Sequence, residues 1–117
     1  MAEVERVICA SADLVDGGKG VRFEVSHFGN QEAAFAVRFR GRVFAYYNRC
    51  AHVPTEMDWN AGEFFDHSRL YLICATHGAL YHPVTGECVG GRCNGKGLQS
   101  LCVTERDGNV FLMQEGE

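Results

Sequence analysis

An all-β fold of short antiparallel strands is predicted by three features of the sequence. Apolar and polar residues alternate with period two, turn signals recur at close intervals, and no stretch sustains a helical apolar period. Val21, Phe23 and Val25 alternate with Arg22, Glu24 and Ser26, and Phe35, Val37 and Phe39 repeat the pattern up to Arg40-Gly41. Beyond that turn, residues 42–47 return as the second arm of a hairpin, and residues 70–73 read as a buried strand ending at Cys74. Residues 80–82 and 87–89 flank the turn signal Pro83-Val84-Thr85-Gly86 and form another expected hairpin, followed by a Gly-rich loop from Gly90 to Gly97. Residues 98–104 and 110–113, separated by Arg106-Asp107-Gly108-Asn109, close the chain as a last hairpin. Cys9 and Cys102 fall in strand segments, where a small buried hydrophobe is the natural role. Residues 55–60 have room for one short helical turn.

The chain of 117 residues is expected to fold as one domain, 1–117, with no repeat, low-complexity tract or linker to divide it. Its formal charge of -4, with no Lys/Arg cluster along any segment, argues against nucleic acid or an anionic membrane as partner. The start, Met1-Ala2-Glu3-Val4-Glu5-Arg6, lacks the basic and apolar regions of an export signal, and no long apolar run follows, so a cytoplasmic, unanchored protein is expected. In that reducing compartment, six cysteines suggest metal binding before disulfides, and Cys88 and Cys93 are expected as free thiols, with a small loop disulfide or a second metal half-site as the alternatives. No nucleotide-binding loop, nucleophile elbow or zinc-protease motif occurs. The acidic residues Glu56, Asp58, Glu63 and Asp66 read as a solvated loop rather than a catalytic pair. His27, His67 and His82 have no cysteine at ligand spacing.

The chemistry concentrates in two Cys/His pairs. Cys50-Ala51-His52 follows a strand, and in extended chain residues i and i+2 face one side, so thiol and imidazole can address one site. Cys74-Ala75-Thr76-His77 offers the second pair, with Gly78 to relax the tight turn that lets both side chains converge. Two cysteines and two histidines on facing loops can chelate one zinc ion or hold a two-iron core. The CxH arm is tighter than the usual arms of zinc modules.

The pattern CxH followed by CxxHG resembles the Rieske iron-sulfur proteins, and in particular the small soluble Rieske-type ferredoxins. The resemblance implies a Rieske-like sandwich with a loop-rich cluster-binding subdomain over roughly 46–97. It implies one [2Fe-2S] cluster, with Cys50 and Cys74 on one iron and His52 and His77 on the other. Tyr81 and Thr85-Gly86 match positions that follow the second family loop, and Gly90-Gly91-Arg92 falls where a third, cluster-covering loop is expected, here without the family's proline. An oxidised cluster with only two thiolates is formally neutral, so it accepts an electron more readily than a four-thiolate one.

The high-potential branch of the family carries a disulfide across the two loops, at the positions of Thr55 and Thr76, and a serine donor to a bridging sulfide at the position of Ala79. Both are absent here, which implies a potential in the low part of the Rieske range. The function implied is that of a non-enzymatic one-electron carrier between a flavin-dependent reductase and a terminal oxygenase or other redox enzyme. A small subunit of a nitrite-reducing type of reductase and a cluster-based redox sensor are the alternatives.

Overall fold

The alternation becomes ten strands among the described residues of the computed structural model, which are 3–27, 30–49, 62–74, 78–91 and 97–115. They are β1 (Glu3–Ala10), β2 (Val21–His27), β3 (Asn30–Phe39), β4 (Arg42–Tyr47), β5 (Leu72–Ile73), β6 (Leu80–Tyr81), β7 (Cys88–Gly90), β8 (Ser100–Leu101), β9 (Val103–Arg106) and β10 (Asn109–Glu115). Three antiparallel sheets result: an outer sheet β1-β10-β9, a central sheet β2-β3-β4-β8, and a small sheet β5-β6-β7. No helix among the described residues is long and apolar enough to cross a membrane.

The central sheet is buried on both faces, and β3 shows how. Phe35 and Val37 project into a core shared with Phe64, Leu72, Cys74 and Tyr81, whereas Ala36 and Ala34 face two clusters that contain Val110 and Leu112 of the outer sheet. Large side chains thus meet the small sheet, and alanines leave room for the outer sheet to approach closely. Phe35 and Phe64 stack at 3.9 Å between ring centroids, which ties the segment before β5 to the central sheet. Arg38 crosses from the central sheet to β9, donating to Glu105 at 3.0 Å and to the Leu14 carbonyl at 3.0 Å.

The strand read over 70–73 is shorter than expected. Leu70 is exposed, and regular pairing is confined to Leu72 and Ile73, because residues 67–70 form the turn that returns the chain beside Phe64 and Phe65. The strand read over 98–104 is broken at Cys102, where the chain leaves the central sheet: β8 pairs with β4, and β9 pairs with β10. Cys102 is therefore exposed, not core, whereas Cys9 is half-buried in β1. Burial, reinforced by Asp13, pushes the Cys9 thiol up and keeps it protonated. The short helical turn expected over 55–60 lies outside the described residues.

Candidate metal centre

Cys74 leaves β5 fully buried and outside any disulfide. Its backbone closes the loop that follows: the Gly78 N–H donates to the Cys74 carbonyl at 2.7 Å, and the Cys74 N–H donates to the Ala79 carbonyl at 2.9 Å. The β5–β6 register, with Ile73 opposite Leu80 and Leu72 opposite Tyr81, continues that closure as a hairpin. Cys74, Gly78 and Ala79 are thus tied to one pair of strands. Of the four ligands read from the sequence, Cys74 is described, while Cys50, His52 and His77 lie outside the described residues. Among the described residues no three metal-binding side chains cluster.

The chain approaches the first motif along β4 under equally firm control. The Tyr47 N–H donates to the Gln99 carbonyl at 3.0 Å and the Asn48 N–H to the Ala33 carbonyl at 2.8 Å. Asn48, two residues before Cys50, is a buried polar residue. Two residues back along the buried stripe, the Tyr46 hydroxyl donates to the Pro83 carbonyl at 2.6 Å, joining β4 to the turn after β6. Burial raises the Tyr46 phenol to about 12, so it remains a donor across the physiological range. The 83–86 turn is itself closed by the Gly86 N–H on the His82 carbonyl and anchored by the Leu98 N–H on the Gly86 carbonyl. His82 takes a local role, its Nδ1 accepting from the Val84 N–H at 3.1 Å.

The third segment meets the second directly. Gly91 adopts φ +81°, and a Cβ there would lie 2.7 Å from the Ala79 Cα and 2.8 Å from the Gly78 carbonyl oxygen. Ala79 and Tyr81 are both fully buried beneath this contact. The start of the Gly-rich loop therefore packs against Gly78 and Ala79 of the hairpin, at a distance only a glycine permits. Arg92 and Cys93 lie outside the described residues. Cys88, expected as a free thiol, is disulfide-bonded. That expectation came from the redox compartment, which states what an environment tolerates and not what a backbone brings together.

Sequence reasoning missed Tyr46, Asn48 and the part played by Gly91. Tyr46 belongs to an unbroken apolar run, and its hydroxyl partner is 37 residues away, so no local pattern marks it. Gly91 was placed in the expected covering stretch Gly90-Gly91-Arg92, but its contact with Ala79 has no local signal.

A buried thiol at a strand end, beside a hairpin closed by two backbone hydrogen bonds and packed against a glycine, fits a sulfur ligand of a cluster shielded from water. The sequence matches the profile of the Rieske [2Fe-2S] domain over residues 5–107. No curated protein matches the chain. Among solved structures, it is similar to the ferredoxin of carbazole 1,9a-dioxygenase from Nocardioides aromaticivorans IC177, with 19% identity, TM-score 0.76, and coverage of 96% of this chain and 99% of that one. The Sphingomonas yanoikuyae B1 ferredoxin gives 21% identity and TM-score 0.75, covering 96% of this chain and 100% of that one. The terminal oxygenase of carbazole 1,9a-dioxygenase from Novosphingobium sp. KA1 matches with 22% identity and TM-score 0.72, covering 97% of this chain but 30% of the oxygenase. These likenesses show the fold, and the profile match, spanning nearly all of the sequence, shows the family: the chain belongs to the Rieske [2Fe-2S] domain family.

Proposed function

We propose that the chain is a single-domain one-electron carrier that takes electrons from a flavin-dependent reductase and passes them to a terminal oxygenase. The observation that carries this reading is the family match over residues 5–107 of 117. Support also comes from the similar ferredoxins of dioxygenase systems, one of them seen in a complex of reduced oxygenase and oxidised ferredoxin, at 19% identity and TM-score 0.72. The family's cofactor is one [2Fe-2S] cluster, which stores a single electron when bound. We assign Cys50 and Cys74 to one iron and His52 and His77 to the other. The chain's own contribution is to hold the Cys74 loop by its two backbone hydrogen bonds and to exclude water from it with Ala79, Tyr81 and Gly91. The cytoplasm is the compartment we assign, supported by Cys9, Cys74 and Cys102 standing outside disulfides, against one disulfide-bonded cysteine among the described residues.

Voltammetry tests the assignment. Donors to cluster sulfur stabilise the more negative reduced state, so an alanine in place of a serine donor lowers the potential. The expected midpoint is roughly -150 mV, the bottom of the Rieske range, and a value well above zero would contradict a carrier fed by a flavoprotein. Ala79→Ser should raise it by about 65 mV, the equivalent of one charge-assisted hydrogen bond of about 1.5 kcal/mol in a one-electron couple. Because Ala79 is fully buried, the new hydroxyl has no water to satisfy it. An unchanged potential in this variant would place Ala79 away from the cluster sulfur.

A further inference from the structure

At the ends of β4, β5 and β6 remote from the ligand loops, a pocket of about 290 Å³ opens between the central and small sheets. Its apolar wall includes Phe39, Phe44 and Leu70, the last of these 47% exposed. Two arginines, Arg40 and Arg42, also line it. The Arg40 guanidinium lies 5.1 Å from the centre of the Phe39 ring, and that of Arg42 lies 5.4 Å from the Phe44 ring. Stacking on the pocket's own rings holds both cations in place.

Neither arginine has a carboxylate partner among the described residues, although Arg38, Arg49 and Arg106 each do. Among the described residues, no Asp or Glu lines the pocket. With the His82 Nδ1 accepting from Val84, the neutral ring carries its proton on Nε2 and adds a further donor. The pocket is therefore a local excess of donors and positive charge on a chain whose net charge is -4.

The backbone adds an independent observation. Arg40 and Gly41 are the central residues of the β3–β4 hairpin turn, with φ +51° and +81°. Asparagine or glycine occupies the first of these positions at less cost than arginine, so a side chain other than the one the turn prefers is held there. Strain of this kind gathers where a side chain is needed for contact.

We propose that this pocket binds a small monoanionic carboxylate attached to an aromatic or branched apolar group. The guanidinium forks match a carboxylate, and the phenylalanine wall takes the apolar part. A bare phosphate would leave that wall wet, and a neutral hydrophobe would leave both arginines unanswered. This site is separate from the electron-transfer centre, and its test does not depend on the cluster ligands.

Benzoate is the probe, titrated into the cluster-loaded protein while the backbone amide signals of residues 39–44 are followed by NMR. The expected result is saturable shifts that benzyl alcohol and inorganic phosphate reproduce at least about tenfold more weakly. Arg42→Gln should weaken benzoate by about tenfold. Arg40→Asn should do the same while keeping or raising the melting temperature, since asparagine suits the turn, and this separates lost binding from lost folding. Equal affinity for benzyl alcohol, equal affinity for phosphate, or benzoate shifts that survive Arg42→Gln would each overturn the proposal. The first would mean an apolar groove and the second a plain anion patch.

Discussion

Cys74→Ser and Cys50→Ser are each expected to reduce the bound iron from about two atoms per chain to almost none. A serine hydroxyl is a far weaker ligand for iron than a thiolate, and removing one sulfur leaves the remaining three donors to hold a bridged pair of metals alone. The consequence for stability follows from position. Cys74 sits at the end of β5 in the core with Tyr46, Phe64 and Tyr81, whereas Cys50 follows β4 in the central sheet, so the cluster would crosslink two sheets that otherwise meet through side chains. Its loss removes that link, and in the Cys74 variant it also buries a hydroxyl, at a further cost of about 1–3 kcal/mol if unpartnered. Cys9→Ser and Cys102→Ser provide the comparison, one thiol half-buried in the outer sheet and the other exposed. Both should retain colour and iron. Full iron content in the Cys50 and Cys74 variants would show that the ligands lie elsewhere.

Gly91→Ala should be the most damaging single methyl addition in the chain's Gly-rich loop. Two costs combine at this position. Alanine at φ +81° sits in the left-handed region, at about 1 kcal/mol, and its Cβ would stand 2.7 Å from the Ala79 Cα, 2.8 Å from the Gly78 oxygen and 3.1 Å from the Ala79 nitrogen. All three neighbours are backbone atoms of the closed hairpin, which cannot swing aside like a side chain, so overpacking adds roughly 1–3 kcal/mol. Either the covering segment lifts or the Gly78-Ala79 backbone shifts, and the second alternative disturbs the hydrogen bond between Cys74 and Ala79. The expected result is a lower melting temperature and faster bleaching of the cluster in air. Gly108→Ala isolates the conformational part, because Gly108 has φ +77° with nothing within 4 Å of the added carbon. If the two variants lose equal stability and bleach equally slowly, Gly91 does not press on the ligand loop.

These two cases also mark where the sequence was legible. The candidate ligand residues stand out because each pair is local: two side chains at strand spacing or turn spacing, read without knowing the fold. The strands were legible for the same reason, but their depth was not. Phe35, Val37 and Phe39 suggested one buried face, and only the structure shows the alanines between them packed against a second sheet. Ala36 is as buried as Val37. The break at Cys102 has no local signal either, since residues 98–104 form a continuous strand-like run and the change of partner from β4 to β10 is a property of the topology. Tyr46 on Pro83 and Gly91 on Ala79 are contacts between distant segments. Cys88 was misjudged because compartment, a property of the surroundings, was used in place of geometry. Arg40 lay in a turn that the sequence did reveal, but its stacking on Phe39 and its unanswered charge appear only when the two sheets are brought together.

The central claim is the nature of the metal centre, and metal and sulfide analysis with EPR of anaerobically purified protein addresses it most directly. The account predicts a red-brown protein with about two iron and two labile sulfides per chain and a rhombic signal on one-electron reduction. A colourless protein carrying one equivalent of zinc, with no EPR signal after reduction, would contradict it.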